Sequence, residues 1–447
     1  MDGLLITVIV LAAYIAIISI LKYKKLLEKH NMSLWGPILM VRTHKGADII
    51  ERAAAHRRFW TVVGPVAIAV CAVLAALLVP LLIWNAALSF QIPVESTPSP
   101  ALVIGLPGIN PIMSGANFWY AILGLVVGIV VHEGLHGVFT RLAGIKLKSV
   151  GLLFLAIPLG AFVEPDEEEL GKTTRFKRAR VFAAGPFANI VLAVIFGMIF
   201  SSLMMGAVQI KSEGAGIIYV EHNSPAGLAG ISPGMIITNV SDSMGTQIIR
   251  NSTDLQKYLS SKKIGDHVVV GTYGGQSYNT MLASAATYTK NQSDANKAYL
   301  GVATVGTKDA MKIYNALEHP FSGFGNFLYY ILLPIAEFRS GISPLHAPYT
   351  DFVITPIAPA FFWPLTIAFY WIFWLSLMLG TTNALPVIPL DGGYIFREGL
   401  DWTLSKTKLS EARRSKIAAS ACYSMTFFII ALIVIQFIGP RLGALFG

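Results

Sequence analysis

Six apolar blocks constrain this chain more than any other feature. They run over Leu4 to Leu21, Phe59 to Trp84, Phe118 to Leu135, Val181 to Met205, Ala358 to Leu379 and Ala418 to Ile438. Each is close to the roughly 20 residues that a helix needs to cross a bilayer. Hydrocarbon offers the backbone no hydrogen-bond partners, so segments of this kind read as transmembrane helices. Composition agrees: 54% of the residues are hydrophobic and 13% are charged, against about a quarter charged in a soluble domain. The expected fold class is a polytopic α-helical membrane protein with about six transmembrane helices.

The net charge of +9 does not point to nucleic acid, because the basic residues are placed by loop. Lys22 to Arg58 holds nine Lys/Arg against three acids, Arg141 to Arg180 eight against five, and Arg397 to Lys416 six against three. Asn85 to Ala116 holds the single acid Glu95 and no base. Basic loops stay cytoplasmic, which puts both chain ends outside and makes the basic loops topology signals and lipid-headgroup contacts. The flank of Leu4 to Leu21 carries Asp2 and its basic cluster follows the apolar run, the reverse of a signal peptide, so this run reads as a retained span. Cys71 and Cys422 both fall inside spans and imply no disulfide framework.

Residues 211–305 break the membrane pattern. Short β-branched runs such as Ile217-Ile218-Tyr219-Val220 and Val268-Val269-Val270 alternate with turns. One helix is expected over Ser252 to Leu259, capped by Ser252 or Thr253. This is a small α+β module, inserted between a core at residues 59–210 and a second core at 306–447, with residues 1–58 forming the first span and its basic loop. The topology places it outside, and the triplets at Asn239, Asn251 and Asn291 are glycosylation acceptors on that side. Gly323 to Phe338 reads as interfacial or re-entrant, since a further span would put the loop after Arg397 outside. Val150 to Phe162, interrupted by Gly151, Pro158 and Gly160, reads as a re-entrant hairpin or as a loop resting on the membrane surface.

The chemistry sits at the inner ends of two spans. His132-Glu133-Gly134-Leu135-His136 places two imidazoles four residues apart on one helical face, where both reach one metal ion. Glu133 stands beside them as a proton acceptor. Ionisable groups in an apolar span cost about 2.5–3.5 kcal/mol each at its centre, and metal ligation offsets that cost. A catalytic zinc usually takes three protein ligands, so one is missing. Asp391, in Asn383-Ala384-Leu385-Pro386-Val387-Ile388-Pro389-Leu390-Asp391-Gly392-Gly393, lies at the same depth on the same side. Its alternative reading is a helix-terminating Asp-Gly turn. Pro386 and Pro389 break the helix there, and Gly392-Gly393 are expected to let the backbone unwind.

The paired motifs, with the intervening module, resemble the site-2 protease family from about Phe118 to Gly399. The resemblance implies a membrane-embedded zinc protease that cleaves transmembrane protein substrates. It makes His132, His136 and Asp391 zinc ligands, Glu133 the catalytic base and Asn383 a contact to the substrate backbone. Gly185-Pro186-Phe187-Ala188-Asn189 resembles another family element, in which Asn189 holds substrate or the oxyanion, or packs helices. Gly160 to Glu169 is similar to the family's re-entrant β-loop, whose edge would hold an unwound substrate strand. The module at 211–305 resembles a PDZ domain, with Gly214-Ala215-Gly216-Ile217 as its peptide-carboxylate loop and Met235 where many such domains carry Asp. It implies either peptide binding or a size filter. The resemblance places the protein in the cell membrane, its active site towards the cytoplasm and the PDZ-like domain outside. Two rivals stand beside it: a membrane zincin of another family, which takes a Glu as third ligand, and a membrane-anchored peptide receptor without zinc.

Overall fold

A computed structural model describes residues 3–155, 157–289 and 296–446. The chain divides into two compact units, Met1–Phe196 with Trp371–Gly447, and Gly197–Tyr370. Among the described residues, five helices are long and apolar enough to cross a membrane: Arg57–Ser89, Gly115–Leu142, Arg175–Ala207, Pro359–Ala384 and Glu411–Leu445. They contain five of the six predicted spans. The first predicted run is also helical, α1 (Gly3–Tyr23), of which Ala12–Tyr23 forms a shorter apolar helix.

In the first unit, the basic loop after α1 is folded. It forms β1 (Met32–Trp35), β2 (Ile38–Arg42) and α2 (His44–Ala54). The long helices α3 (Arg57–Ser89) and α4 (Phe118–Leu142) follow. The expected hairpin is antiparallel, β3 (Leu147–Leu155) and β4 (Ile157–Pro165), with Val150 opposite Val163. The β1–β2 hairpin adds to it, giving a four-stranded sheet in the order β1-β2-β3-β4. Gly151 permits that junction: a Cβ there would meet the Val41 carbonyl at 2.2 Å. Tyr14 of α1 donates its hydroxyl to Phe154 O at 3.0 Å and Pro37 O at 2.9 Å, tying the helix to the sheet. α5 (Arg175–Met198) follows the sheet.

The second unit is built on a six-stranded antiparallel sheet. Its elements are β5 (Ala215–Val220), β6 (Ile236–Asp242), β7 (Gly245–Ile248), α6 (Ser252–Ser260), β8 (His267–Thr272), β9 (Ser277–Met281) and β10 (Val302–Gly306). The strand order is β9-β8-β6-β5-β10, with β7 on β6. Ile217, Ile237, Val270, Leu255 and Leu300 fill its core. Two expectations change here. The cap of α6 is Asn251, whose side chain accepts from Asp254 N at 2.9 Å, rather than Ser252 or Thr253. That bond uses the amide oxygen of Asn251, and Asn291 lies outside the described residues. Gly214 to Ile217 is not an open carboxylate loop. Gly214 N donates to Thr307 Oγ1 at 3.1 Å, Ile217 N to Met235 O at 2.9 Å, and β5 is paired on both sides. An interior strand has no free amides to offer an anion.

After β10 come α7 (Thr307–Glu318) and α8 (Phe324–Ser340), the latter covering the run at Gly323 to Phe338. α8 has 17 residues and is two-faced: Phe324, Leu328 and Leu332 are exposed, while Tyr330 and Leu333 are buried. α9 (Pro359–Ala384) then leads back to the first unit, which ends with α10 (Asp391–Leu404) and α11 (Glu411–Phe446). α4 packs closely on the inner half of α9 through small residues. A Cβ on Gly124 would meet Trp371 O at 2.7 Å, and one on Gly128 would meet Leu379 Cδ1 at 2.9 Å. That close approach sets the depth of the histidines against the end of α9.

Candidate metal centre

The centre is assembled from α4, α5 and the break between α9 and α10, all in the first unit. α9 stops at Ala384 because Pro386 and Pro389 cannot donate backbone hydrogen bonds. The connecting turn is tied down where Ile388 N donates to Thr426 Oγ1 of α11 at 3.0 Å. Asp391 then opens α10, with Leu390 at its N-cap position. Gly392 and Gly393 serve close packing rather than unwinding: both are helical, and a Cβ on Gly392 would meet the Ala384 and Leu385 carbonyls at 2.3 Å. These glycines fold α10 back against the end of α9 and aim Asp391 at α4.

His132, His136 and Asp391 converge. The Oδ2 atom of Asp391 lies 3.1 Å from His132 Nε2 and 3.2 Å from His136 Nε2, and the two Nε2 atoms are 3.1 Å apart. Tetrahedral zinc, at about 2.0–2.1 Å from N and O donors, separates its ligand atoms by about 3.3 Å. Two imidazoles and a carboxylate in a near-equilateral triangle of this size fit that ion, and their side chains are 10%, 14% and 15% exposed. The residues that would hold the metal are these three.

The surroundings fix the donors. His136 Nδ1 donates to Val181 O of α5 at 2.7 Å, which leaves Nε2 as the ligand atom. Asn189, also on α5, is fully buried with its Nδ2 position 3.0 Å from His132 Nδ1, and exchanging Nδ2 and Oδ1 puts the oxygen there. A His132 that ligates through Nε2 carries its proton on Nδ1 and needs an acceptor there. The Asn189 amide oxygen supplies it, in the orientation that also gives that oxygen its hydrogen bond; the opposite orientation leaves Oδ1 buried without a partner among the described residues. Asn189 therefore stands beside His132 on the Nδ1 side of the ring. Asn383 lies in the last turn of α9, half-buried, and donates its amide to Leu379 O of its own helix at 3.1 Å. Glu133 projects toward the sheet, where its Oε2 accepts the Val163 N–H of β4 at 3.2 Å.

One position was named by sequence only as part of the Gly185 to Asn189 element, without a role of its own. Gly185 of α5 lies directly against the ligands: a Cβ there would meet His136 Nε2 at 2.3 Å and His132 Nε2 at 2.4 Å. The available signal was a glycine followed by a proline inside an apolar helix, a pair that costs helix propensity and needs a packing reason.

A His-Glu-His helix that shares a metal-sized triangle with an aspartate, carried by apolar spans, defines a membrane metallopeptidase. The chain belongs to peptidase family M50, the site-2 protease family, whose model matches residues 120–432. That range contains both motifs and decides against a zincin of another family and against a receptor without an enzyme centre. An uncharacterized protein of Methanocaldococcus jannaschii is 34% identical over 167 residues, 36% of this chain and 43% of that protein. The chain thus matches less than half the length of this relative.

Proposed function

We propose that this protein hydrolyses peptide bonds within or beside transmembrane segments of membrane protein substrates, as in regulated intramembrane proteolysis. The observation that carries the reading is the position of the donor triangle, inside α4 and at the end of α9, two helices apolar enough to lie in the bilayer. A zinc ion held there would act as a Lewis acid, lowering the pKa of water and polarising a carbonyl. Glu133 would take the proton of the attacking water and return it to the leaving amine. β4 supports the substrate geometry. It is the edge strand beside α4, and an extended substrate segment can pair with such an edge. Asn383, at the same end of α9, is the candidate contact to the substrate backbone. The basic loops support a centre that faces the cytoplasm, with the module at residues 211–305 outside.

The test is cleavage of a single-span protein co-reconstituted in vesicles, with the products mapped by mass spectrometry. Cuts inside the apolar segment that disappear with a zinc chelator and return with zinc support the reading. Cuts confined to soluble flanks would overturn it.

Asn189 is proposed as a positioning residue for His132. Asn189→Ala is expected to weaken zinc affinity by about 10–100-fold, read by competition with a chromophoric chelator. Asn189→Asp, which keeps an acceptor oxygen, should retain most of it. Equal loss in both variants would mean that the amide serves packing alone.

For the second unit, we propose a PDZ-like peptide site on β10 rather than at Gly214 to Ile217. The carbonyls of Leu300 and Gly301 accept from Ala226 N and Glu221 N, each at 2.9 Å. A trans peptide sets N–H opposite C=O, so the amides of Gly301 and Val302 turn the other way, to the open edge of β10. Adjacent outward amides capture a C-terminal carboxylate, and the edge strand beside α6 takes the chain behind it. A peptide ending in valine is expected to bind the full-length protein about tenfold or more tightly than its C-terminal amide. Equal affinities, by fluorescence anisotropy, would favour a size filter.

A further inference from the structure

Outside the metal centre itself, a cavity of about 170 Å³ collects positive charge at one end of three apolar helices. Its lining includes Arg57, Trp60, Phe139, Leu142, Lys177 and Arg180, and no acidic side chain. α3 begins at Arg57, α4 ends at Leu142 and α5 begins at Arg175, so the three ends meet there. Glu51 lies within electrostatic reach of Arg57, but both of its oxygens are taken by Arg141, at 2.6 and 2.9 Å. The three cations of the cavity are not neutralised by it.

Their donors are left open. Arg180 Nε is buried and has no hydrogen-bond partner among the described residues, and the guanidinium lies over the Phe176 ring at 4.2 Å. A buried guanidinium N–H without an acceptor is costly and calls for one. Space is made for this side chain on α3, where a Cβ on Gly64 would meet Arg180 Cδ at 2.8 Å. Lys177 spends one of its three donors on Ala143 O, at 3.1 Å. The N-terminus of α3 has no side-chain cap, since His56 makes no cap bond, and a helix N-terminus favours an anion.

We infer that this pocket binds the phosphate headgroup of an anionic phospholipid. A guanidinium fork with an ammonium beside it matches phosphate. Three cations without an acid disfavour a zwitterionic headgroup, whose ammonium would enter the same field. Basic pockets between the ends of membrane helices suit such headgroups. Phe59, Val62 and Phe176, 60%, 70% and 52% exposed, give the surface around it the apolar character that acyl chains require. The site also adjoins the metal centre, because Arg180 immediately precedes Val181, whose carbonyl holds His136. A bound headgroup would brace the α3, α4 and α5 ends together.

The experiment titrates the delipidated full-length protein, in neutral detergent, with dihexanoyl phosphatidylglycerol, dihexanoyl phosphatidylcholine and inorganic phosphate, read by calorimetry. Phosphatidylglycerol is expected to bind about tenfold or more tightly than phosphatidylcholine, with the Lys177→Gln/Arg180→Gln double variant losing that preference. Arg57→Gln, at an exposed position where folding is not at stake, should lose about fivefold. Retained zinc content shows that the variants are folded. Equal binding of the two lipids, or unchanged phosphatidylglycerol affinity in both variants, would overturn the inference. Inorganic phosphate binding as tightly as phosphatidylglycerol would make this a free-phosphate site and overturn the lipid assignment.

Discussion

Replacing Glu133 by Gln is expected to abolish peptide-bond hydrolysis while leaving the metal in place. Glu133 is outside the donor triangle of His132, His136 and Asp391, so the substitution removes no ligand. Gln has nearly the same shape and keeps a carbonyl oxygen, so the hydrogen bond from Val163 N–H survives. What Gln lacks is the ability to accept a proton near neutral pH. General-base catalysis contributes about 10²–10⁴-fold, and the variant should fall by at least that factor at unchanged zinc stoichiometry. Cleavage rate on the reconstituted single-span substrate and metal content by mass spectrometry provide the two readouts. A variant that keeps more than about a tenth of the parent rate would remove Glu133 from the reaction. A variant that also loses zinc would show instead that Glu133 maintains the metal centre.

Gly185→Ala is expected to disable metal binding with a single added methyl group. The added carbon would sit 2.3 Å from His136 Nε2 and 2.4 Å from His132 Nε2, on the atoms that face the metal. Neither ring can easily withdraw, because His136 is held by Val181 O and His132 by Asn189. Either the imidazoles leave their ligating positions or α5 moves away, and interiors packed at crystal density yield little. Zinc affinity should fall on the order of 100-fold or more, the upper end of what loss of ligand support costs. Gly134→Ala is the control: it lies between the two ligands in sequence, but its Cβ would meet nothing within 4 Å, so metal content should be retained. Full zinc occupancy in Gly185→Ala would show that α5 does not sit against the ligands as described.

Much of this centre was legible because its parts are local. His132 and His136 are bound to one face by helical geometry alone, and an ionisable trio in an apolar run needs an explanation wherever it occurs. Asp391 was reachable by a topological argument, since alternating basic loops bring the ends of α4 and α9 to the same side. Gly185 was not legible, because its role is an interhelical approach that no periodicity encodes. Asn189 was visible as a polar residue in a span, but only the tertiary structure sets it 3.0 Å from His132 Nδ1. The β1–β2 hairpin was hidden for a different reason. Its strands have four and five residues, too short for a pattern, and they are held by pairing with β3 more than a hundred positions away, Leu39 opposite Phe154.

In the second unit, the turn-and-strand spacing was readable while the order of strands was not. Gly214 to Ile217 has the composition of an anion-binding loop, yet pairing with β6 and β10 consumes its amides. The peptide site proposed above instead uses Gly301 and Val302, at the strand that ends up on the edge. Whether a strand is interior or edge is a property of the whole sheet.

By itself the sequence determined what each segment can be: apolar runs that must become helices in a bilayer, two imidazoles on one face, a carboxylate after a proline break. These follow from solvation and from periodicity, which act within a segment. Which segments touch was decided only by tertiary packing. Glycines at 124, 128, 160, 185 and 392 admit approaches that a side chain would block, and those approaches bring Asp391, Asn189 and the β4 edge to the histidines.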